Sequence, residues 1–226
     1  MDGILGVEQN DSNLLIPTLV DCLEEYKFLK VTQGTGHMVG LTDTGKLISW
    51  GLNDNGQLGH VKEEEQKSSK HYRPPTLQGG EQPKQVGGEL ENKTVIDVDS
   101  GSRFTAAITE DGSLYTWGMG RDYVLGHNSR DVIKAPKKVE TMSDTKFKQV
   151  ACGRNFMVAL DTNGFVHAWG NNMNGQVGNS KFSKVVEVPH KIRILKDIVF
   201  IIAGDFHCAA LTSDGKVFTW GSGEAG

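Results

Sequence analysis

The chain has 226 residues, a formal net charge of −4 and 37% hydrophobic residues. Its acidic balance gives no global field that would attract nucleic acid or an anionic membrane, and no apolar run approaches the roughly 20 residues that cross a bilayer. The 28 glycines are nearly twice the share of about 7% that is usual in globular proteins, which favours many short strands joined by turns.

The chain contains three cysteines, Cys22, Cys152 and Cys208, whose number is odd and whose spacing matches no metal site. The amino terminus lacks the basic and apolar regions of a signal peptide. Reduced thiols in an intracellular protein are the plain interpretation. We therefore expect a location in the nucleus or the cytoplasm.

Short segments rich in branched and aromatic residues recur along the chain. Residues 13–28 have some apolar spacing, but Pro17 interrupts any helix there, and this segment is interpreted as a connection. Strands are predicted at 28–32, 37–41 and 46–50, and again at 147–153, 156–160 and 165–169. Because turns ending in glycine separate them, these segments indicate antiparallel hairpins.

Each set of strands ends in tryptophan followed by glycine. The copies are Trp50-Gly51, Trp117-Gly118, Trp169-Gly170 and Trp220-Gly221, which lie 67, 52 and 51 residues apart. The prolines of the pattern are Pro17, Pro75, Pro136 and Pro189. A period of about 50 residues with three or four strands is typical of propeller blades, since one blade alone cannot bury both of its faces. We predict that the indoles pack between blades and that the glycines permit a tight turn.

The chain divides into four repeat units with approximate limits 3–51, 52–118, 119–170 and 171–221. The second unit carries an insertion at 61–93, a largely polar stretch that is either a contact element or a tolerated excursion. Residues 222–226 form a truncated loop of a next unit. We therefore expect an arc of a larger ring or a fragment of a longer product.

Other motifs that could carry chemistry are weak. Residues 221–226 match the glycine fingerprint of dinucleotide sites, but that motif needs a following helix. The seven histidines are scattered. Lys191, Arg193 and Lys196 could touch phosphate or form a solvated edge. We predict no metal, no cofactor, no small-molecule substrate and no covalent catalysis.

The combined repeat reads Gly-x-x-His/Phe, an apolar strand, Asp/Asn-Gly, an apolar pair, Trp-Gly, and then Asn-x-x-Gly-Gln-Leu-Gly. Its fullest copies are 34–59 and 153–178. This pattern resembles the repeat of the regulator of chromosome condensation family over the whole chain except the insertion. The resemblance implies an all-β fold of four blades, an incomplete arc of a seven-bladed propeller.

The resemblance also implies a function in protein binding. Many members of the family are interaction domains, whereas the founding member is the nucleotide exchange factor of the small GTPase Ran and also docks on chromatin. We therefore expect a regulatory protein-interaction platform, with a Ran-type small GTPase as one candidate partner. The alternative is the central and carboxyl-terminal part of a Ran-type exchange factor. Exchange forms no covalent bond, and we expect it only from a complete ring. We expect contact with chromatin only through regions outside this chain. We expect no contact with a membrane.

In the exchange factor, the Gly-x-x-His turns face the GTPase, so the corresponding turns are the predicted partner-binding site. Only Asp205, His37 and His207 keep the acidic or histidine chemistry that the resemblance implies for these turns. The predicted partner-binding residues are His37, Ser102, Arg103, Arg154, Asn155, Asp205 and His207.

Overall fold

The protein is described by a computed structural model that covers residues 5–6, 14–61, 81–179 and 183–224. Most of the predicted insertion, including Pro75, lies outside the described residues, as do residues 2–4 and 225–226. All of the predicted partner-binding turns lie within them.

The described residues form four antiparallel sheets, and the strands of each sheet lie side by side in chain order. The first sheet contains β1 (Phe28–Gln33), β2 (His37–Thr42), β3 (Leu47–Gly51) and β4 (Glu81–Gln85). The second contains β5 (Val95–Ser100), β6 (Phe104–Thr109), β7 (Leu114–Gly118) and β8 (Ile133–Lys138). The third contains β9 (Phe147–Cys152), β10 (Phe156–Asp161), β11 (Val166–Asn171) and β12 (Val185–Lys191). The fourth contains β13 (Ile198–Ala203), β14 (His207–Thr212) and β15 (Val217–Gly221).

Helical structure is limited to single 3₁₀ turns at Asp21–Leu23, Gly88–Leu90, Arg121–Tyr123 and Glu140–Met142 within the described ranges. None of the described segments forms a helix of the length and apolarity needed to span a membrane. Each sheet contacts the next, and together they do not close a ring. The prediction of an all-β arc of blades is confirmed.

The outer strand of each four-stranded sheet contains a proline where the register of its pairing shifts. These prolines are Pro83 in β4, Pro136 in β8 and Pro189 in β12. Proline has no N–H to donate, so within sheets it is confined to edges and bulges. The choice of Pro75 as the repeat proline was therefore wrong, because Pro83 occupies that position in β4.

The core lies between neighbouring sheets, in three hydrophobic clusters that each join one blade to the next. The second strands of the two central sheets, β6 and β10, are buried at every position. The first strand is more exposed in the first blade than in the second. Val31 of β1 is 50% exposed, whereas its counterpart Val98 in β5 is fully buried. Burial in each blade thus depends on its neighbour, as expected for stacked repeats.

In the second, third and fourth blades, the tryptophan indole donates a hydrogen bond to a loop of the preceding blade. Trp117 Nε1 donates a hydrogen bond to the Gln57 carbonyl at 2.9 Å. The same bond joins Trp169 to Val124 O at 2.7 Å and Trp220 to Gln176 O at 2.8 Å. Because the indoles of Trp117 and Trp169 are fully buried, this bond removes the cost of an unpaired N–H in the core.

The glycine after each tryptophan has a backbone conformation that a side chain would obstruct. Gly118 has φ +106°, and a Cβ there would lie 2.5 Å from the Arg103 carbonyl oxygen. The next residue, Met119, donates its N–H to that same oxygen at 2.8 Å. The other three copies repeat the arrangement, with φ between 102° and 112°. The Trp-Gly stretch therefore holds the turn between the first two strands of its own blade.

Replacing Gly118 with alanine should lower the free energy of unfolding by about 3 kcal/mol, because the substitution combines an unfavourable φ with a contact against rigid backbone. Gly215→Ala is the matched control, since Gly215 also has positive φ (+87°) but nothing within 4 Å of the added Cβ. There the loss should be about 1 kcal/mol. Urea unfolding followed by tryptophan fluorescence measures both, and equal losses would contradict this account.

Candidate functional site

The turns between the first and second strands of the four blades lie on the same face of the arc. We call these turns, residues 34–37, 101–104, 153–156 and 204–207, the rim. In the second turn, a Cβ on Gly101 would lie 2.0 Å from the Phe104 ring. The other turns repeat this contact, between Gly34 and His37, Gly153 and Phe156, and Gly204 and His207. The aromatic residue at the end of each turn thus packs beneath its first glycine, which explains the Gly-x-x-His/Phe pattern.

Backbone hydrogen bonds join the rim turns to one another. Thr35 N donates to Ser102 O at 3.0 Å, Ser102 N donates to Arg154 O at 3.2 Å, and Arg154 N donates to Asp205 O at 3.1 Å. The hydroxyls of Thr35 and Ser102 also lie 2.9 Å apart. These four residues hold the same position in successive repeats. The rim is therefore a continuous hydrogen-bonded band that crosses all four blades.

A groove of about 840 Å³ runs along the inner side of the rim. Its walls are the last residues of the innermost strands β1, β5, β9 and β13, together with the rim turns and Arg121. The polar or charged side chains that line it include Thr32, Asp99, Ser102, Arg103, Arg154, Asn155 and Asp205. We call it the rim groove. Its volume falls within the usual range of about 300–1,000 Å³ for ligand pockets.

Two aspartates of β5 tie three blades together, and one of them, Asp99, lies in the groove wall. Asp99 accepts the Thr32 hydroxyl at 2.6 Å and the Cys152 N–H at 2.7 Å. Burial raises the pKa of Asp99, and these two hydrogen bonds oppose that effect. Asp97 in turn pairs with Lys30 Nζ at 2.8 Å and accepts the Val150 N–H at 2.8 Å. Both carboxylates are therefore engaged in holding blades together, although Asp99 also lines the groove.

Five of the seven predicted partner-binding residues line the rim groove together: Ser102, Arg103, Arg154, Asn155 and Asp205. The two histidines do not. His207 is exposed beside the last turn. His37 has no exposed surface, and its Nε2 lies 3.0 Å from the Thr105 hydroxyl. Burial lowers the pKa of His37 to about 4, so the ring is neutral and supports its turn from below.

The sequence reasoning did not single out Asp97, Asp99 or Arg121. The two aspartates occupy alternate positions of β5, so their side chains face the same side of the sheet. The hydrogen bonds of these aspartates to Val150 and Cys152 could not be predicted from the sequence, because each bond joins residues more than 50 positions apart. Arg121 lies in the loop after β7, and the corresponding loops of the first and third sheets carry Asn-x-x-Gly-Gln.

One cluster has the connectivity of a hydrolase triad. Ser49 Oγ lies 2.9 Å from His60 Nε2, and His60 Nδ1 lies 2.6 Å from a Glu81 oxygen. Ser49 is fully buried, however, and its hydroxyl donates to the Leu58 carbonyl at 2.7 Å. A buried hydroxyl that is already donating cannot reach a substrate.

The second blade repeats this cluster as a structural unit. Thr116 Oγ1 donates to Leu125 O at 2.7 Å and lies 3.0 Å from His127 Nε2. Burial, with the nearby Lys137 charge, lowers the pKa of His127 to about 4. The repetition indicates that these histidines brace the loop after the third strand. Among the described residues, no group of three or more histidine, cysteine, aspartate or glutamate side chains has the geometry of a metal site.

The comparisons with known proteins agree with this geometry. A family model of the RCC1-like domain matches residues 1–226. The ultraviolet-B receptor UVR8 of Arabidopsis thaliana is 33% identical over 221 residues, and the E3 ubiquitin-protein ligase HERC2 of Mus musculus is 31% identical over 229 residues. The structure of Prp20p from Saccharomyces cerevisiae, described with its binding to Gsp1p and histones, matches with a TM-score of 0.76 at 27% identity.

The matches cover this chain more fully than they cover the relatives. They span 97% of this chain for UVR8, 100% for HERC2 and 97% for Prp20p. They span 46% of UVR8, 4% of HERC2 and 51% of Prp20p. The chain therefore corresponds to about half the length of two of these proteins and to a small part of the third.

The buried neutral His37 should make the protein less stable in acid. The unfolded chain protonates this histidine near pH 6.5, whereas the folded chain does so only near pH 4. Stability is therefore kept above pH 6.5 and lost as the pH falls towards 4, by about 1.4 kcal/mol per pH unit for this one group. His37→Phe should make the loss less steep, since Phe104 and Phe156 hold the equivalent position in other turns.

Urea unfolding at several pH values between 4 and 7 measures this effect, since this range spans the titration of His37 in both states. His207→Phe is the control, because the exposed His207 occupies the same turn position in the fourth blade. The account would be contradicted if His37→Phe and His207→Phe had the same pH dependence.

Proposed function

The chain belongs to the RCC1-like domain family, and on that basis we propose that it is a regulatory protein-interaction platform whose partner binds along the rim groove. The observation that supports this most strongly is the construction of the rim. Backbone N–H and carbonyl groups at the second position of its turns bond to the neighbouring turns, so the band is rigid. The exposed side chains of Arg103 and Arg154, and the half-buried Asn155, project from it.

A rigid band that carries exposed side chains suits recognition of a macromolecule. Side chains held on a fixed backbone lose little conformational freedom on binding, and this lowers the cost of association. Function in repeat folds and propellers is commonly carried by turns at one end of a rigid scaffold. The relatives support the same kind of role, since they include a photoreceptor, a ubiquitin ligase and a protein that binds Gsp1p and histones.

Guanine-nucleotide exchange on a Ran-type GTPase is the less favoured alternative. The likeness to Prp20p supports a small GTPase as a partner type. Within the rim, however, the exposed residues that keep acidic or histidine chemistry are Asp205 and His207, and the neighbouring turns present Arg103 and Arg154 instead. We also propose a nuclear or cytoplasmic location, which accords with the buried free thiols of Cys152 and Cys208.

A photo-crosslinking residue placed at Asn155 should capture the partner in an extract of the source cells. The control is the same residue at Asn163, an exposed asparagine in the hairpin at the other end of the same blade. We expect a discrete adduct from position 155 that is absent from position 163. Equal capture at both positions, or capture only at position 163, would contradict binding at the rim.

Release of fluorescent GDP from Ran by the full-length product separates the two candidate functions, since exchange is expected only from a complete ring. We expect the full-length product to leave the spontaneous rate unchanged, because a binding platform has no need to prefer the nucleotide-free state. The control for active Ran is release of GDP after removal of Mg²⁺ by a chelator. Acceleration by the full-length product would favour exchange instead.

A further inference from the structure

The charge in the rim groove is opposite in sign to that of the chain. The chain as a whole carries −4, yet the groove is lined by Arg103, Arg121 and Arg154, against Asp99 and Asp205. Asp99 is held by Thr32 and by the Cys152 N–H, so its charge is partly offset inside the wall. Asp205 is the exposed carboxylate among the lining residues. Cationic side chains therefore dominate the accessible surface of the groove.

Two of these guanidinium groups are available to a ligand. Arg103 and Arg154 are exposed, and among the described residues neither lies within ion-pair distance of a carboxylate. Arg121 differs, since its Nε lies 3.9 Å from a carboxylate oxygen of Asp122. A guanidinium in a concave site with no carboxylate partner is a strong recognition element, because its planar fork fits a carboxylate with two parallel hydrogen bonds.

Arg154 is held in place by an aromatic ring of the next turn. Its guanidinium carbon lies 5.7 Å from the centroid of the Phe206 ring. A cation over an aromatic face is restrained without losing its hydrogen-bond donors. Phe206 is itself 37% exposed, so the ring offers an apolar contact beside the charge.

Part of the rim backbone is already used in bonds between the turns. The N–H groups of Thr35, Ser102 and Arg154 donate to neighbouring turns, so they are not free to bind an anion. The side chains that remain exposed favour a ligand with groups that suit guanidinium and an exposed ring together. An extended peptide with carboxylate side chains and an apolar residue meets both requirements, and a volume of about 840 Å³ admits several side chains.

We propose that the rim groove binds an acidic segment of a protein partner, with carboxylates on Arg103 and Arg154 and an apolar side chain against Phe206. This inference rests on the proposed binding function of the rim. It assigns the chemistry of the partner, which the function alone leaves open. Phosphate groups of a nucleic acid would also pair with arginine, so binding of an oligonucleotide is measured as a separate outcome of the test.

The test is fluorescence anisotropy with the full chain and two labelled peptides. One peptide consists of Glu and Asp around a central Phe, and the other replaces every Glu with Gln and every Asp with Asn. We expect saturable binding of the acidic peptide that weakens at high salt, and no binding of the amide peptide. Equal binding of both peptides, or of neither, overturns the proposal.

Arginine variants locate the binding. Arg103→Gln and Arg154→Gln should each weaken binding of the acidic peptide about tenfold, the effect of losing one charge-assisted hydrogen bond. Arg193→Gln is the control, since Arg193 is exposed and lies outside the groove. The affinity of Arg193→Gln should equal that of the parent chain. Thermal melting of all three variants checks that folding is kept, and equal affinities across them overturn the proposal.

Two further outcomes separate this inference from the proposed function. Crosslinking from Asn155 without binding of the acidic peptide would retain the platform and reject the acidic partner. Tighter binding of a single-stranded oligothymidine that is weakened by the same two arginine substitutions would replace the acidic segment with nucleic acid. Absence of both crosslinking and peptide binding would reject the function itself.

Discussion

The hydrogen bond from a tryptophan indole to the loop of the preceding blade is the interaction on which the arc depends. An isolated blade has two large faces and too little volume to bury either. The bonds from Trp117 to Gln57 and from Trp169 to Val124 fix each blade against its neighbour at a definite distance and angle. The hydrophobic clusters between the sheets can then form in one register. A single repeated contact thus sets the spacing of the blades.

The same stretch of sequence connects this packing to the binding surface. The glycine that follows each tryptophan lets the next N–H hold the carbonyl of the rim turn, as Met119 does with Arg103. The tryptophan fixes the blade in the arc, and the glycine fixes the turn at the end of the blade. Side chains at the third position of the turn, such as Arg103 and Asn155, are therefore free to vary without altering the scaffold.

Much of the fold was predictable from the sequence, and the reason is repetition. The four Trp-Gly copies gave the number of blades, and alternation of apolar residues gave the inner three strands to within about two residues. The outer strands were harder. Glu81–Gln85 is polar and mostly exposed, so no alternation marks it, and Pro75 was taken for the repeat proline. The sequence grouped the rim residues by analogy between repeats, but it could not separate buried His37 from exposed His207. Burial at that position depends on the adjoining blade, and the motif is the same in both.

The indole bonds run in one direction along the chain. Each acceptor carbonyl precedes its tryptophan in sequence: Gln57 comes before Trp117, Val124 before Trp169, and Gln176 before Trp220. A chain that leaves the ribosome from its amino terminus therefore presents each loop before the indole that will bind it. Every new blade meets a partner that has already been synthesised, which suits growth of the arc one blade at a time as translation proceeds.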